Sequence, residues 1–198
     1  MFVTFEGVDG SGKSTQAELL VAWLRERGRT VVSTREPGGT PLGEGVRALV
    51  LHGDQMVPWA EAALFAAARA ELVAEIVRPA LDRGEDVVVD RYLDSSVAYQ
   101  GIARGLGADS VRDLSLAVTG GLLPVRTFVL AVDPDDARVR GGDVRDRIER
   151  EASDFMRTVD AAYRSLAERE PGRIVLLDGS ADPDTIAEEV REHVRPLL

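Results

Sequence analysis

Apolar residues along the chain fall into two alternating textures. Five short runs, Phe2–Glu6, Thr30–Thr34, Asp86–Val89, Thr127–Val132 and Arg173–Leu177, are dense in Val, Ile, Leu, Phe or Thr. Runs of this length without strict polar alternation are expected of strands covered on both faces. Between them the spacing changes to the helical period. Ser14–Arg27 sets Ala17, Leu20, Val21 and Leu24 on one face and is ended by Gly28. Pro58–Arg83 reads as one long helix kinked near Pro79, and Asp182–Val194 as a closing helix behind a Ser-Ala-Asp-Pro start. The alternation predicts a doubly wound α/β domain with five parallel strands, in which ligands sit at the carboxyl ends of the strands.

The length of 198 residues fits a single domain, 1–198, with no repeat, linker or low-complexity segment. One stretch differs in texture. "DPDDARVRGGDVRDRIERE", from Asp133 to Glu151, is dense in both charges and carries a Gly-Gly pair. It reads either as a solvated helical surface or as a mobile lid at about 134–151.

Charge and composition narrow the partners. The net charge of −10 repels a phosphate backbone, so nucleic acid is not an expected partner. With no cysteine there is neither a disulfide framework nor a thiolate metal site. The start "MFVTFEG" lacks the features of a signal peptide, and the longest charge-free run, Leu114 to Val125, is too short and glycine-rich to span a bilayer. The expectation is a cytoplasmic protein with no membrane partner.

Among 24 Lys and Arg residues only Lys13 is lysine. It lies in Gly7-Val8-Asp9-Gly10-Ser11-Gly12-Lys13-Ser14, which fits G-x-x-x-x-G-K-[ST] directly after an expected strand and opening an expected helix. Glycines there let backbone N–H groups close around phosphate oxygens at a helix N-terminus. The lysine passes over a narrow loop to the β- and γ-phosphates, which suits a compact ammonium better than a planar guanidinium. Residues Gly7 to Thr15 are therefore candidate ATP contacts, and Ser14 is a candidate hydroxyl for Mg²⁺ bridging the phosphates. The chain also contains no asparagine, so it lacks the Asn-Lys-x-Asp element by which switch GTPases read guanine.

Further motifs point to an acceptor with its own phosphate. "TREPGGT", residues 34 to 40, follows the second strand, and "DRYLDSSVAYQG", residues 90 to 101, presents Asp90 and Arg91 at the end of the third. On the long helix Phe65 and Arg69 are four apart, an aromatic plane beside a fork of donors able to stack on and hydrogen-bond a base. Taken alone Phe65 reads rather as an ordinary core position, since apolar helix positions are usually core, whereas Arg69 in the alanine-rich "LFAAARAEL" is less easily dismissed.

The loop end "GKST", then "REPGGT", "LFAAAR", "DRYLDSSVAYQ" and "DRIERE", in this order and spacing, resemble the thymidylate kinase family, which phosphorylates dTMP to dTDP with ATP. The resemblance runs from Phe2 to the C-terminal helix; "REPGG" and "DRY" with "AYQ" are its specific parts. It implies a P-loop NTPase of the nucleoside monophosphate kinase type, a three-layer αβα fold around a five-stranded parallel sheet. It also implies a homodimer, Mg²⁺ with ATP as co-substrate, dTMP as acceptor on the way to dTTP, and an arginine-bearing lid. Carried onto this chain, it sets Asp9 at the acceptor sugar, Glu36, Pro37 and Arg47 around the acceptor and its phosphate, and Arg91 between the two nucleotides' phosphates. Phe65 stacks on thymine, Arg69 donates to its O4, Gln100 meets the base edge, Ser95 and Ser96 lie near the base, and Tyr99 lies against the deoxyribose. Asp90 is expected to hold the Mg²⁺ shell through water beside Ser14, as the acid after the strand does in other phosphate-loop enzymes. Gly10 is glycine, so the catalytic arginine is expected on the lid, with Arg140, Arg145 and Arg147 as candidates, Arg147 in "DRIE" being partly structural, beside Lys13, Arg91 and Asp9. The chain departs from the family's common pattern at Val125, Ala131, Thr158 and Asp160. Two other readings stay open: a kinase of another nucleotide on this scaffold, and a nucleotide-binding regulator without turnover.

Overall fold

In the computed structural model, which describes residues 1–140, 146–148 and 150–198, the apolar runs form one parallel sheet. Its strands are β1 (Phe2–Glu6), β2 (Val31–Arg35), β3 (Asp86–Asp90), β4 (Arg126–Ala131) and β5 (Ile174–Asp178), in the spatial order β2-β3-β1-β4-β5. Alternate strand residues feed two separate cores. Val88, Phe5 and Phe128 face α1 (Lys13–Glu26) and α9 (Pro183–Val194). Val87, Val89 and Val129 face the other layer, which contains α2 (Pro41–His52), α3 (Pro58–Leu72) and α8 (Ser153–Arg169). Both faces of β1, β3 and β4 are covered, which is why these runs carry no polar alternation. The edge strands β2 and β5, expected to be buried on both faces, instead expose Ser33, Arg35, Leu176 and Asp178, since each has a neighbouring strand on one side only. Among the described residues no helix is long and apolar enough to cross a membrane.

β1 lies centrally, with β3 on one side and β4 on the other. The order reverses there, and a crevice opens at the carboxyl ends of the strands. The loops after β1, β2 and β3 all reach it.

The long helix departs from expectation. It is α-helical only to Leu72, widens into a π turn over Val73–Val77, and resumes as α4 (Arg78–Asp82). Arg78 N–H bonds to the Val73 carbonyl, five residues back. Pro79 has no N–H for the carbonyl four residues before it, so the break falls in the turn ahead of the proline. A second π turn, Val97–Ala103, follows the short α5 (Leu93–Ser96) and carries Tyr99 and Gln100. It packs against α6 (Ala108–Thr119) and α8. Of the charged stretch, Pro134–Arg140 is a helix, α7, while 141–145 and 149 lie outside the described residues.

Candidate active site

The loop after β1 turns on glycine. Gly7 has φ 138°, and a Cβ there would stand 2.7 Å from the Leu130 carbonyl oxygen; Gly12, which precedes α1, has φ 95°. Both conformations are costly for any residue with a side chain. Lys13 folds back across the loop, its Nζ donating to the Val8 carbonyl at 2.8 Å and standing 3.7 Å from Asp9 Oδ1. Burial lowers the Lys13 pKa, the neighbouring Arg91 charge lowers it further, and Asp9, Asp90 and Glu6 oppose both. A phosphate would supply the solvation this ammonium lacks.

One cavity over this loop is lined by Asp9 to Thr15, Arg35, Asp90, Arg91 and Arg140, with Ser180 to Pro183 beyond β5 as its far wall. Ser14 Oγ donates to Asp90 Oδ2 at 2.5 Å. A hydroxyl and a carboxylate side by side are hard oxygen donors that suit Mg²⁺, which takes one or two such groups together with phosphates and water.

A second cavity is lined by every residue expected around the acceptor: Asp9, Glu36, Pro37, Arg47, Phe65, Arg69, Arg91, Ser95, Ser96, Tyr99 and Gln100. Leu51, Asp146 and Ile148 complete it and were not read from the sequence. Arg69 is almost fully committed inward. Its Nε donates to Glu36 Oε2, Nη1 to Ser115 Oγ, and Nη2 to the Tyr92 carbonyl and Ser96 Oγ, leaving one N–H of Nη1. Arg47 Nη1 bonds the Pro37 carbonyl at 3.1 Å, tying α2 to the loop after β2.

Arg91 sits where the cavities meet. Its backbone is at φ 68°, uncommon for a side-chain-bearing residue and frequent at functional sites. Nη2 donates to Asp9 Oδ1 at 2.6 Å, and Nη1 to the Gly7 carbonyl and Ser95 Oγ. Burial raises the Asp9 pKa, but the charges of Arg91 and Lys13 outweigh it and hold the carboxyl down at about 2. The guanidinium carbon lies 5.5 Å from the centre of the Tyr99 ring.

The three lid arginines part company. Arg140 lines the phosphate-loop cavity, its Nη1 on the Gly179 carbonyl at 2.9 Å. Arg145 lies outside the described residues. Arg147, expected as a candidate catalytic group, lines neither cavity: it is buried, with Nη2 on Glu61 Oε2 at 2.6 Å and Nε on the Val50 carbonyl. Its charge is neutralised by Glu61, so its place is in the wall behind the base cavity rather than over the phosphates.

The thymidylate kinase family model matches residues 5–190. The chain belongs to the thymidylate kinase family. A thymidylate kinase of Leifsonia xyli subsp. xyli is 55% identical over 196 residues, covering 96% of this chain and 92% of that protein. One from Bifidobacterium longum subsp. infantis is 48% identical over 203 residues, covering 100% of this chain and 87% of that protein. The crystal structure of thymidylate kinase from Ehrlichia chaffeensis superposes with a TM-score of 0.82 at 32% identity, covering 98% of each chain.

Within this family member, three buried acids escaped the reading of the sequence. Glu6 Oε1 accepts the Tyr92 N–H at 2.8 Å, while Oε2 accepts Ser95 Oγ at 2.5 Å and Tyr163 OH at 3.0 Å. It thereby holds the residue after Arg91 and the hydroxyls on which Arg91 leans. Asp94 is paired on both oxygens with Arg173, at 2.7 and 2.8 Å. Glu61 takes Arg147, Arg104 and Gln100 together. Only Glu6 carried a signal, an acid ending a strand buried on both faces and immediately before the glycine loop.

Proposed function

We propose that the chain transfers the γ-phosphate of ATP to the phosphate of dTMP, giving dTDP and ADP. The observation that carries this reading is the shared wall of the two cavities: Asp9, Glu36, Arg47 and Arg91 line both. ATP lies with its phosphates on the loop after β1, and dTMP lies with its base between Phe65 and Gln100 and its phosphate toward Arg47. An oxygen of the acceptor phosphate attacks the γ-phosphorus; a new P–O bond forms as the bridge to the β-phosphate breaks, and the electron pair leaves with ADP. Such a transfer needs positioning and charge stabilisation more than covalent help. Lys13 holds the β- and γ-phosphates, and Arg91, braced by Asp9, spans donor and acceptor. Of the two described lid candidates, Arg140 and Arg147, Arg140 is the one that lines the phosphate-loop cavity, and it closes over the γ-phosphate. Bound Mg²⁺, held through Ser14 and Asp90, would neutralise charge on the ATP phosphates.

The reading extends to a single domain, 1–198, with a lid at 134–151, acting in the cytoplasm as a homodimer. Exposed Leu42, Leu49, Val57 and Trp59 on and beside α2 and α3 favour a face covered by another copy.

Steady-state turnover with ATP, Mg²⁺ and a panel of nucleoside monophosphates tests it. If the remaining Arg69 N–H reads the base 4-position, dTMP leads and dUMP follows by about 10–200-fold for the lost methyl. dCMP trails by roughly 10⁴ or more, because its amino group faces another donor. Absence of any diphosphate product refutes the kinase reading. dCMP used as well as dUMP refutes the role of Arg69.

A further inference from the structure

Gln100 lines the acceptor cavity, yet its amide nitrogen points away from it, donating to Glu61 Oε1 at 2.8 Å. Glu61 is 1% exposed and lies behind the cavity wall on α3. Its other oxygen takes Arg147 Nη2 at 2.6 Å, and Arg104 reaches both oxygens at 3.3 Å. Burial raises the Glu61 pKa, but the bonds from Gln100 and Arg147 and the charge of Arg104 outweigh it, and the net shift is downward. An ionised carboxylate only accepts hydrogen bonds. A reversed Gln100 amide would set oxygen against carboxylate oxygen at bonding distance, so the carboxamide has one allowed orientation.

We propose that Glu61 is a specificity-determining residue acting through Gln100: by holding the amide nitrogen it leaves Oε1 as the atom offered to the cavity, an acceptor for a pyrimidine ring N–H. This deepens the functional reading and rests on it. Thymine and uracil carry a hydrogen on ring N3; cytosine has a lone pair there. Gln100 Oε1 therefore bonds the first two and opposes the third, independently of whatever Arg69 does at the neighbouring 4-position. The latch extends to residues 147 and 148. Arg147 N–H bonds the Leu51 carbonyl, and Ile148 beside it lines the cavity, so the acid that orients Gln100 also fastens the chain that closes over the base. Glu61 is a positioning residue and touches no substrate.

Glu61→Gln keeps the size of the side chain and removes its charge, so that Gln100 can turn. The ratio of kcat/KM for dTMP to that for dCMP should fall about tenfold, the loss of one of two mismatched contacts. The change should sit in the KM of the pyrimidine nucleotide, with the ATP KM within about twofold of its starting value. Gln100→Met should lower the same ratio, and the double variant should fall no further, because both substitutions remove one device. If Glu61→Gln does not fold, Glu61→Asp, which withdraws the carboxylate by one methylene, should lower the ratio in part. A ratio unchanged in the folded variant, or additive effects in the double variant, overturns the proposal. A parent chain that makes no diphosphate from dTMP refutes the functional reading itself, whereas selectivity that survives unchanged in the variants refutes only the role of Glu61.

Discussion

Glu6→Gln separates a buried charge from the shape of the group that bears it. Burial is the main reason the Glu6 carboxyl is raised from 4.5 to about 7; the negative charge of Asp94 adds to it, and Ser95, Arg91 and the Tyr92 N–H oppose it. A carboxyl held at about 7 in the native chain against 4.5 in the unfolded one corresponds to about 3 kcal/mol. Below 4.5 the group is protonated in both states and costs nothing. Above 7 it is charged in both, and the native state bears the full cost; between the two the native chain holds the extra proton. Stability conferred by this site is therefore present at low pH and lost as pH rises through that window. Glutamine at position 6 does not titrate, so the wild type should lose about 3 kcal/mol relative to Glu6→Gln between pH 4.5 and pH 7 and change little above it. The measurement is urea unfolding of both chains at several pH values without nucleotide, since a phosphate beside Arg91 would alter the local field. A stability difference that stays constant with pH refutes the reasoning, because it would mean that Glu6 titrates alike in the folded and unfolded chains.

Lys13→Arg should leave the melting temperature nearly unchanged and lower kcat by roughly 10²–10³, the scale seen when one preorganised donor to developing charge is lost. Near wild-type turnover would show that reach and shape over the loop do not matter. Arg173→Ala leaves Asp94, whose side chain is 2% exposed, without its ion-pair partner, and should cost about 3–5 kcal/mol in chemical denaturation. A loss under about 1 kcal/mol would mean that Thr127 and solvent satisfy Asp94 unaided.

The strands were legible to within about a residue at each end: burial on both faces leaves a continuous apolar run in β1, β3 and β4, and the partly exposed edge strands β2 and β5 are still short runs rich in Val, Ile, Leu or Thr. The π turns were not. An inserted residue leaves no mark in the apolar spacing of "ELVAEIVRPA", and only Pro79 hinted that the helix could not continue unbroken. The phosphate loop was readable because its chemistry is local, with all its groups in one stretch of chain. The acids that escaped notice have partners far away in sequence: Glu61 meets Arg147 across 86 residues and Asp94 meets Arg173 across 79. A charge in a motif looks solvated until the fold supplies its partner. Arg147 follows the same rule: "DRIE" suggests a partly structural role, but its partners Glu61 and the Val50 carbonyl are supplied only by the fold.

The lone lysine has a consequence for covalent chemistry. Lys13 bears the only side-chain amine in the sequence and is 6% exposed. Reagents and modifying enzymes that seek lysine therefore find no target on the outer surface, and every acylation of a lysine side chain is also an attack on the phosphate loop. A nucleotide seated there shields the amine, which makes labelling of the lysine side chain, read apart from that of the Met1 α-amine, a single-site footprint of occupancy. A cell that acetylated this chain at lysine would be switching it off, with no decorative alternative.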